Sequence, residues 1–152
     1  MKNISLWFRV MLELYFLLNQ ALKSVDRYLA HVLKQYDLTL PQYLVLQALY
    51  LKDGQTATEL VETIQSDNAT LTAIIDRLER KFFVRRQSSP KDRRKKIIVL
   101  TDKARAIEHS LSIKVEQFFG QLNQQLDPKE LKELKSGLQK ITFYFSDIYE
   151  WH

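Results

Sequence analysis

Apolar residues recur at intervals of three and four along most of the chain, and this period restricts the fold more than any other feature of the sequence. The clearest case is the C-terminal segment, with apolar positions at Leu131, Leu134, Leu138, Ile141, Phe145 and Ile148. This spacing places side chains on one face of an α-helix. Only three Gly and three Pro occur, too few for the frequent turns of an all-β protein. The sequence therefore predicts a mainly helical fold.

Long helices with apolar stripes are predicted at both ends of the chain. The first covers about residues 4–35, and the stretch 6–18 is apolar on almost every side. Another is capped by Thr101 and runs to about residue 126, before the helix that starts after Asp127. A helix that is apolar all round requires burial on several sides. We therefore expect residues 1–36 and 102–152 to form a dimerisation region. The alternative is that each stripe packs inside its own subunit.

The middle of the chain predicts a helix-turn-helix. Thr39 and Gln42 have the spacing of a capping box, as do Thr56 and Glu59, so each pair is expected to start a helix. Residues 65–67 form a polar turn, after which Asp67 or Ser66 caps a helix over about residues 68–81. Two short helices joined by a three-residue turn are typical of the helix-turn-helix motif.

A basic β-hairpin is predicted next. Residues 83–87 and 96–100 are the two strands, and a polar, turn-rich segment joins them. Between Arg77 and Arg105 there are twelve Lys or Arg and three acidic residues, a local charge of +9, so the rest of the chain carries −4. A charge confined to one segment indicates a surface that binds a polyanion such as a nucleic acid. The alternative is an ordinary solvated loop.

The order of these elements and several motifs resemble the multiple antibiotic resistance regulator (MarR) family over roughly residues 38–106. The matching segments are 38–42 (LTLPQ), 59–62 (ELVE), 70–72 (TLT), 76–81 (DRLERK), 90–94 (PKDRR) and 98–101 (IVLT). The resemblance implies one domain over residues 1–152, in which residues 38–101 form a winged helix-turn-helix. Gln65, Phe82 and Ala104 stand where the family usually has Gly, and Ser66 replaces a commonly apolar residue.

The motif indicates which residues would contact DNA. The start of the second helix enters the major groove, and its candidate residues are Asn68, Ala69, Thr70, Thr72, Ala73 and Arg77. Asp67 is expected to cap that helix. The candidate wing residues are Lys91, Asp92, Arg93, Arg94 and Lys95. Of these, Arg94 is expected to enter an A·T-rich minor groove, while Asp92 orients the hairpin, with Arg77 as the partner that the resemblance implies. Thr56, Lys81 and Arg86 are further candidates for phosphate contacts.

Effector, metal and cofactor sites have weaker sequence support. Relatives respond to small aromatic or anionic ligands, and Tyr15, Phe16, Tyr43 and Tyr50 are candidates for such a pocket, although aromatics at helical spacing are also typical of a core. The chain has no Cys, which excludes disulfides and thiol-ligated metals. His31 and His109 do not have metal-ligand spacing with each other. We expect no metal and no cofactor.

The sequence thus predicts a bacterial-type transcriptional regulator, a ligand-responsive repressor that acts as a homodimer on double-stranded DNA. Its operator would be a pseudo-palindrome with half-sites ~10 bp apart. Arg9 and Glu13 interrupt the apolar start of the chain, so we expect a cytoplasmic protein without a signal peptide or membrane span. No catalytic constellation is present, and we expect no enzyme. A divergent winged helix that binds protein or RNA is the alternative.

Overall fold

The computed structural model describes residues 6–149, apart from the side chains of residues 122 and 147–149. Its elements are α1 (Leu6–Lys34), α2 (Leu40–Leu51), α3 (Ala57–Ile64), α4 (Asn68–Arg80), β1 (Val84–Ser88), β2 (Lys96–Leu100), α5 (Asp102–Asn123) and α6 (Pro128–Tyr149). The predicted order of helices and strands is confirmed. The helix expected to reach residue 126 ends at Asn123 instead, because the amide of Gln124 donates to the carbonyls of both Gly120 and Gln121 and closes a tight last turn.

The described chain forms two compact units, divided within α5 between Ser112 and Ile113. In the first unit α2, α3, α4 and the hairpin enclose one apolar core. Its fully buried side chains include Leu33, Val45, Leu46, Leu49, Leu60, Leu71, Ile75, Leu78 and Phe83. Leu33 belongs to the C-terminal end of α1, so that end of α1 packs with the helix-turn-helix.

The helix starts are fixed by the predicted capping residues. The amide of Thr39 donates to Oε1 of Gln42 at 3.1 Å. At α3, the amide of Thr56 donates to Oε2 of Glu59 at 2.8 Å, and the amide of Glu59 donates back to Oγ1 of Thr56 at 3.3 Å. These bonds satisfy amides that the first turn leaves without helical partners. The hydrogen bond from the Thr56 amide, followed by the one from the Lys52 side chain, lowers the pKa of Glu59 to about 2.

Three helices end in left-handed residues that are not glycine. Asp37, Gln65 and Phe82 have φ values of 56°, 52° and 60°. After α4, the amide of Phe82 donates to the carbonyl of Glu79 and the amide of Phe83 to that of Leu78, both at 2.9 Å, which is the Schellman pattern. Phe82 therefore takes the conformation of the Gly that the family pattern has there, at a cost of roughly 1–2 kcal/mol.

The second unit contains the end of α5 and all of α6, and much of its apolar surface is uncovered. An open groove of about 700 Å³ runs along α6, lined by Leu131, Leu134, Leu138 and Phe143 among others. In the first unit, the N-terminal half of α1 is similarly exposed, and Trp7 is 76% accessible. Within residues 6–149, no helix is long and apolar enough to cross a membrane.

Candidate nucleic-acid interface

Helix α4 is held at its N-terminus by Asp67, which caps the helix. Oδ1 of Asp67 accepts a hydrogen bond from the amide of Thr70 at 2.8 Å, and this bond lowers the pKa of the carboxyl group. Leu71, Ile75 and Leu78 anchor the opposite side of the helix in the core. Because its carboxylate is occupied at the helix end, Asp67 acts as a cap.

The outward face of α4 is accessible, as a DNA-reading helix requires. All six candidate residues are exposed: Asn68, Ala69, Thr70, Thr72, Ala73 and Arg77. The hydroxyl of Thr72 donates to the carbonyl of Asn68 at 2.7 Å. Since that hydroxyl is already used within the helix, the methyl group of Thr72 is the part of the side chain best suited to a base contact.

The wing is a two-stranded antiparallel hairpin whose register pairs Val84 with Leu100 and Ser88 with Lys96. Asp92 orders its turn. The carboxylate of Asp92 accepts from the amide of Arg94 at 3.0 Å, and its carbonyl accepts from the amide of Lys95 at 2.9 Å. In the described part of the chain no ion pair joins Asp92 to Arg77. The partnership that the resemblance implies is therefore not formed, and the carboxylate bonds to its own turn.

The base of the wing is braced by two residues of the loop between α2 and α3, Asp53 and Gln55. Oδ1 of Asp53 accepts from the amides of Gly54 and Leu100 at 2.9 and 3.0 Å, and its other oxygen pairs with Arg105. Gln55 is buried, and its carbonyl accepts from the amide of Ile98 at 2.8 Å. No sequence motif pointed to this brace, since its partners lie about 45 residues further along the chain.

The cations at the tip of the wing are free to meet an anion. Lys91, Arg93, Arg94 and Lys95 are all exposed, and none of them takes part in an ion pair among residues 6–149. A groove of about 1030 Å³ separates the wing from the start of α3 and is lined by Thr56, Lys91 and Lys95 among others. With Asp92, four of the sequence-predicted site residues thus border one surface groove.

The two basic residues that were candidates for phosphate contacts outside the wing turn have partners inside the protein. The guanidinium of Arg86 pairs with Asp76 at 2.6 Å and also with Glu79, which ties β1 to α4. Burial lowers the pKa of Arg86, but the hydrogen bonds and charges of the two carboxylates together outweigh burial and raise the pKa. The ammonium of Lys81 pairs with Oδ1 of Asp37 at 3.1 Å. Both residues were expected at DNA phosphates, but their contacts join elements of the fold.

The four aromatic candidates for an effector pocket lie in different surroundings. Tyr15 and Phe16 are 60% and 61% exposed on α1, with their rings in edge contact, whereas Tyr43 is buried in the core. The hydroxyl of Tyr50 donates to the carbonyl of Ala104 at 2.8 Å. Burial, followed by the charge of Glu108, raises the pKa of Tyr50 to about 12. Tyr50 therefore has a structural bond to the start of α5.

Within residues 6–149, no group of three or more His, Asp or Glu side chains is arranged to hold a metal ion. The site therefore consists of an exposed helix face, a braced hairpin and unpaired cations.

The chain is similar in sequence to known proteins over this region and beyond it. The model of the MarR family matches residues 38–96, which are the helix-turn-helix and most of the wing. The transcriptional regulator MgrA of Staphylococcus aureus is 32% identical over 139 residues, covering 91% of this chain and 93% of MgrA. SarZ of the same species is 30% identical over 89% of this chain and 92% of its own length.

A solved structure gives the same result in three dimensions. A crystal structure of a MarR mutant from E. coli in complex with operator DNA superimposes with a TM-score of 0.78 at 29% identity, covering 91% of this chain and 99% of that one. The identity extends across nearly the whole chain, and the family model covers the elements that form the site. This chain therefore belongs to the MarR family.

Proposed function

We propose that the protein is a sequence-specific DNA-binding transcriptional regulator. One observation carries the proposal: the exposed face of α4 and the unpaired cations of the wing belong to one braced winged helix-turn-helix. The match to regulators in S. aureus, and to a structure that contains operator DNA, supports the same function. We propose no enzymatic activity.

Some of the candidate residues would recognise bases, and others would bind phosphates. Asn68 would bind adenine, while the methyl groups of Thr70, Thr72 and Ala73 would meet thymine methyls in the major groove. Arg94 would enter an adjacent A·T-rich minor groove. Lys91, Arg93 and Lys95 would contact phosphates, which position the protein without reading bases. The start of α4 has no Arg or Lys, so its preferred bases are A and T.

The regulator would act as a homodimer. The apolar side chains of α6 and of the N-terminal half of α1 are extensively exposed in one subunit, and large exposed apolar patches are typical of protein interfaces. A second copy would cover them and present two winged helices to a pseudo-palindromic operator with half-sites ~10 bp apart. We propose that this dimer represses transcription in the cytoplasm. A small aromatic or anionic effector would relieve the repression.

Selection of bound sequences from random duplex DNA at two salt concentrations tests this function. We expect one palindrome to be enriched and log affinity to fall steeply with log salt, because Lys and Arg displace counterions from phosphates. Salt-sensitive binding without an enriched sequence would refute sequence-specific regulation. Binding only to RNA, or to neither nucleic acid, would refute the proposal and favour a winged helix used for RNA or protein contacts.

A further inference from the structure

The C-terminal end of the recognition helix α4 is attached to two other helices. On one side the hydroxyl of Thr101 donates to the carbonyl of Phe82 at 2.6 Å, and the ammonium of Lys103 donates to the carbonyl of Lys81 at 2.8 Å. Both residues stand at the start of α5. The recognition helix is thus fixed at the end opposite to its candidate DNA-reading residues 68–73.

On the other side, Lys81 attaches α4 to the turn that follows α1. The ammonium of Lys81 donates to the carbonyl of Asp37 at 2.6 Å, to Oδ1 of Asp37 at 3.1 Å and to Oε1 of Gln42 at 3.5 Å. An ammonium has three donors, and all three have an acceptor here. The carbonyl of Asp37 lies at the negative end of the α1 dipole, where a cation is favoured.

We propose that Lys81 is a positioning residue for DNA binding, which fixes the recognition helix to α1 and thereby sets the separation of the two recognition helices in the dimer. This inference rests on the function proposed above. Its geometric basis is that α1 carries exposed apolar surface towards its N-terminus, while the turn directly after its C-terminus contains Asp37, the acceptor of Lys81. A dimer built on α1 transmits its geometry to α4 through this contact.

The competing role for Lys81 is the phosphate contact that its charge and sequence position suggested. The structure opposes that role because the side chain is only 29% exposed and its donors are occupied. A lysine that binds phosphate and one that positions a helix differ in two measurable ways. Only the first changes the salt dependence of binding, and only the second changes the preferred spacing of half-sites.

The test compares Lys81→Met with Lys91→Met, the matched loss of a charge at the wing. Affinity is measured against salt concentration for the duplex enriched by the wild-type protein, and for two derivatives whose half-sites lie one base pair closer or further apart. We expect Lys81→Met to bind the enriched duplex roughly tenfold more weakly, as for loss of a charged hydrogen bond. It should keep the wild-type salt slope and discriminate less among the three spacings. Lys91→Met should lower the slope by about 0.9 and keep the spacing preference.

A second variant, Asp37→Asn, keeps the proposal testable if Lys81→Met does not fold. Asn tolerates the left-handed conformation at this position, and the carbonyl that accepts from Lys81 remains. Weakened discrimination among spacings would support the proposal. Higher affinity with an unchanged spacing preference would overturn it, because the freed lysine would then be serving phosphate. A reduced salt slope in Lys81→Met with spacing preference intact would overturn it as well. A wild-type protein that selects no palindrome would instead refute the proposed function itself.

Discussion

At the scale of single residues, the ends of helices show most clearly how this chain departs from its family pattern. The family resemblance implies Gly at the positions of Gln65 and Phe82, and both residues have the left-handed backbone that Gly favours. Ala104 has no positive φ and is buried in α5, so its backbone does not require Gly. The left-handed backbone at the first two positions is unfavourable for a residue with a side chain, so the chain carries strain there.

Phe82→Gly should stabilise the protein by about 0.5 kcal/mol. Relief of the left-handed strain, roughly 1–2 kcal/mol, exceeds the entropy that Gly loses on folding, roughly 0.5–1 kcal/mol. Little packing is lost because Phe82 is 73% exposed. Urea unfolding at a fixed protein concentration measures the change. Phe82→Ala keeps a Cβ and should therefore give no gain in unfolding free energy. Equal destabilisation by Phe82→Gly and Phe82→Ala would argue against strain at this residue.

Glu59 should make stability depend on pH in the acid range. Its pKa is about 2 in the folded protein, against an ordinary value of 4.5 for an unperturbed Glu. Its capping contribution is therefore fully present above about pH 4.5 and is lost as the pH falls through 2. Glu59→Gln keeps an acceptor for the Thr56 amide but cannot titrate. Unfolding free energies between pH 4.5 and 2 should therefore vary less steeply in this variant. An unchanged pH dependence would show that the carboxylate is not held by the cap.

At the scale of elements, periodicity and capping residues predicted the helices and strands with small errors at their ends. Local sequence signals suffice to predict these elements, because each helix start has its own capping residue and each apolar stripe has its own spacing. The contacts between elements were not predicted. Arg86 and Lys81 were interpreted as phosphate contacts from charge alone, but Arg86 pairs with α4 and Lys81 with the end of α1. The sequence does not show whether a Lys or Arg side chain contacts a DNA phosphate or a carboxylate of the protein.

Arg94 is expected to contribute sequence preference through the wing. Arg94→Ala should lower affinity for the enriched duplex roughly tenfold, within the 1–3 kcal/mol of a well-placed base contact, and should relax the preference for A·T-rich flanks. Competition binding with flanks of different composition measures both effects. Equal affinity of Arg94→Ala and wild type would contradict the role of the wing.

Lys91→Ala is the matched control for Arg94→Ala, since both residues are exposed on the same turn. It should weaken binding to all duplexes alike and lower the salt slope by about 1. A change in base preference in this variant would show that phosphate and base contacts are not divided as proposed.

At the scale of the whole molecule, the distribution of exposed apolar surface indicates how the subunit is used. Leu131, Leu134 and Leu138 on α6 are each about two-fifths to one-half exposed, and Leu6 on α1 is 77% exposed. The sequence alone allows these stripes to pack either inside the subunit or against a second one. Within the described part of the chain they are largely uncovered, which supports a partner subunit.

Leu138→Glu should convert the dimer into monomers or unfold it, because an unpaired carboxylate would be buried at the interface. Light scattering coupled to size-exclusion chromatography measures the mass, and circular dichroism reports the fold. Lys140→Glu, a charge change on the opposite face of the same helix, should remain dimeric. A folded Leu138→Glu monomer that binds the enriched duplex with wild-type affinity would refute the dimer.

The sequence by itself determined the element order, the caps and the family of this protein, because these depend on residues close together in the chain. Only the tertiary structure decided which cations are free. Arg86 and Lys81 are neutralised by partners 7 to 44 residues away, while Lys91, Arg93, Arg94 and Lys95 are left without ion pairs among residues 6–149. The physical reason is that an ion pair requires two groups within about 4 Å, and folding decides which groups meet.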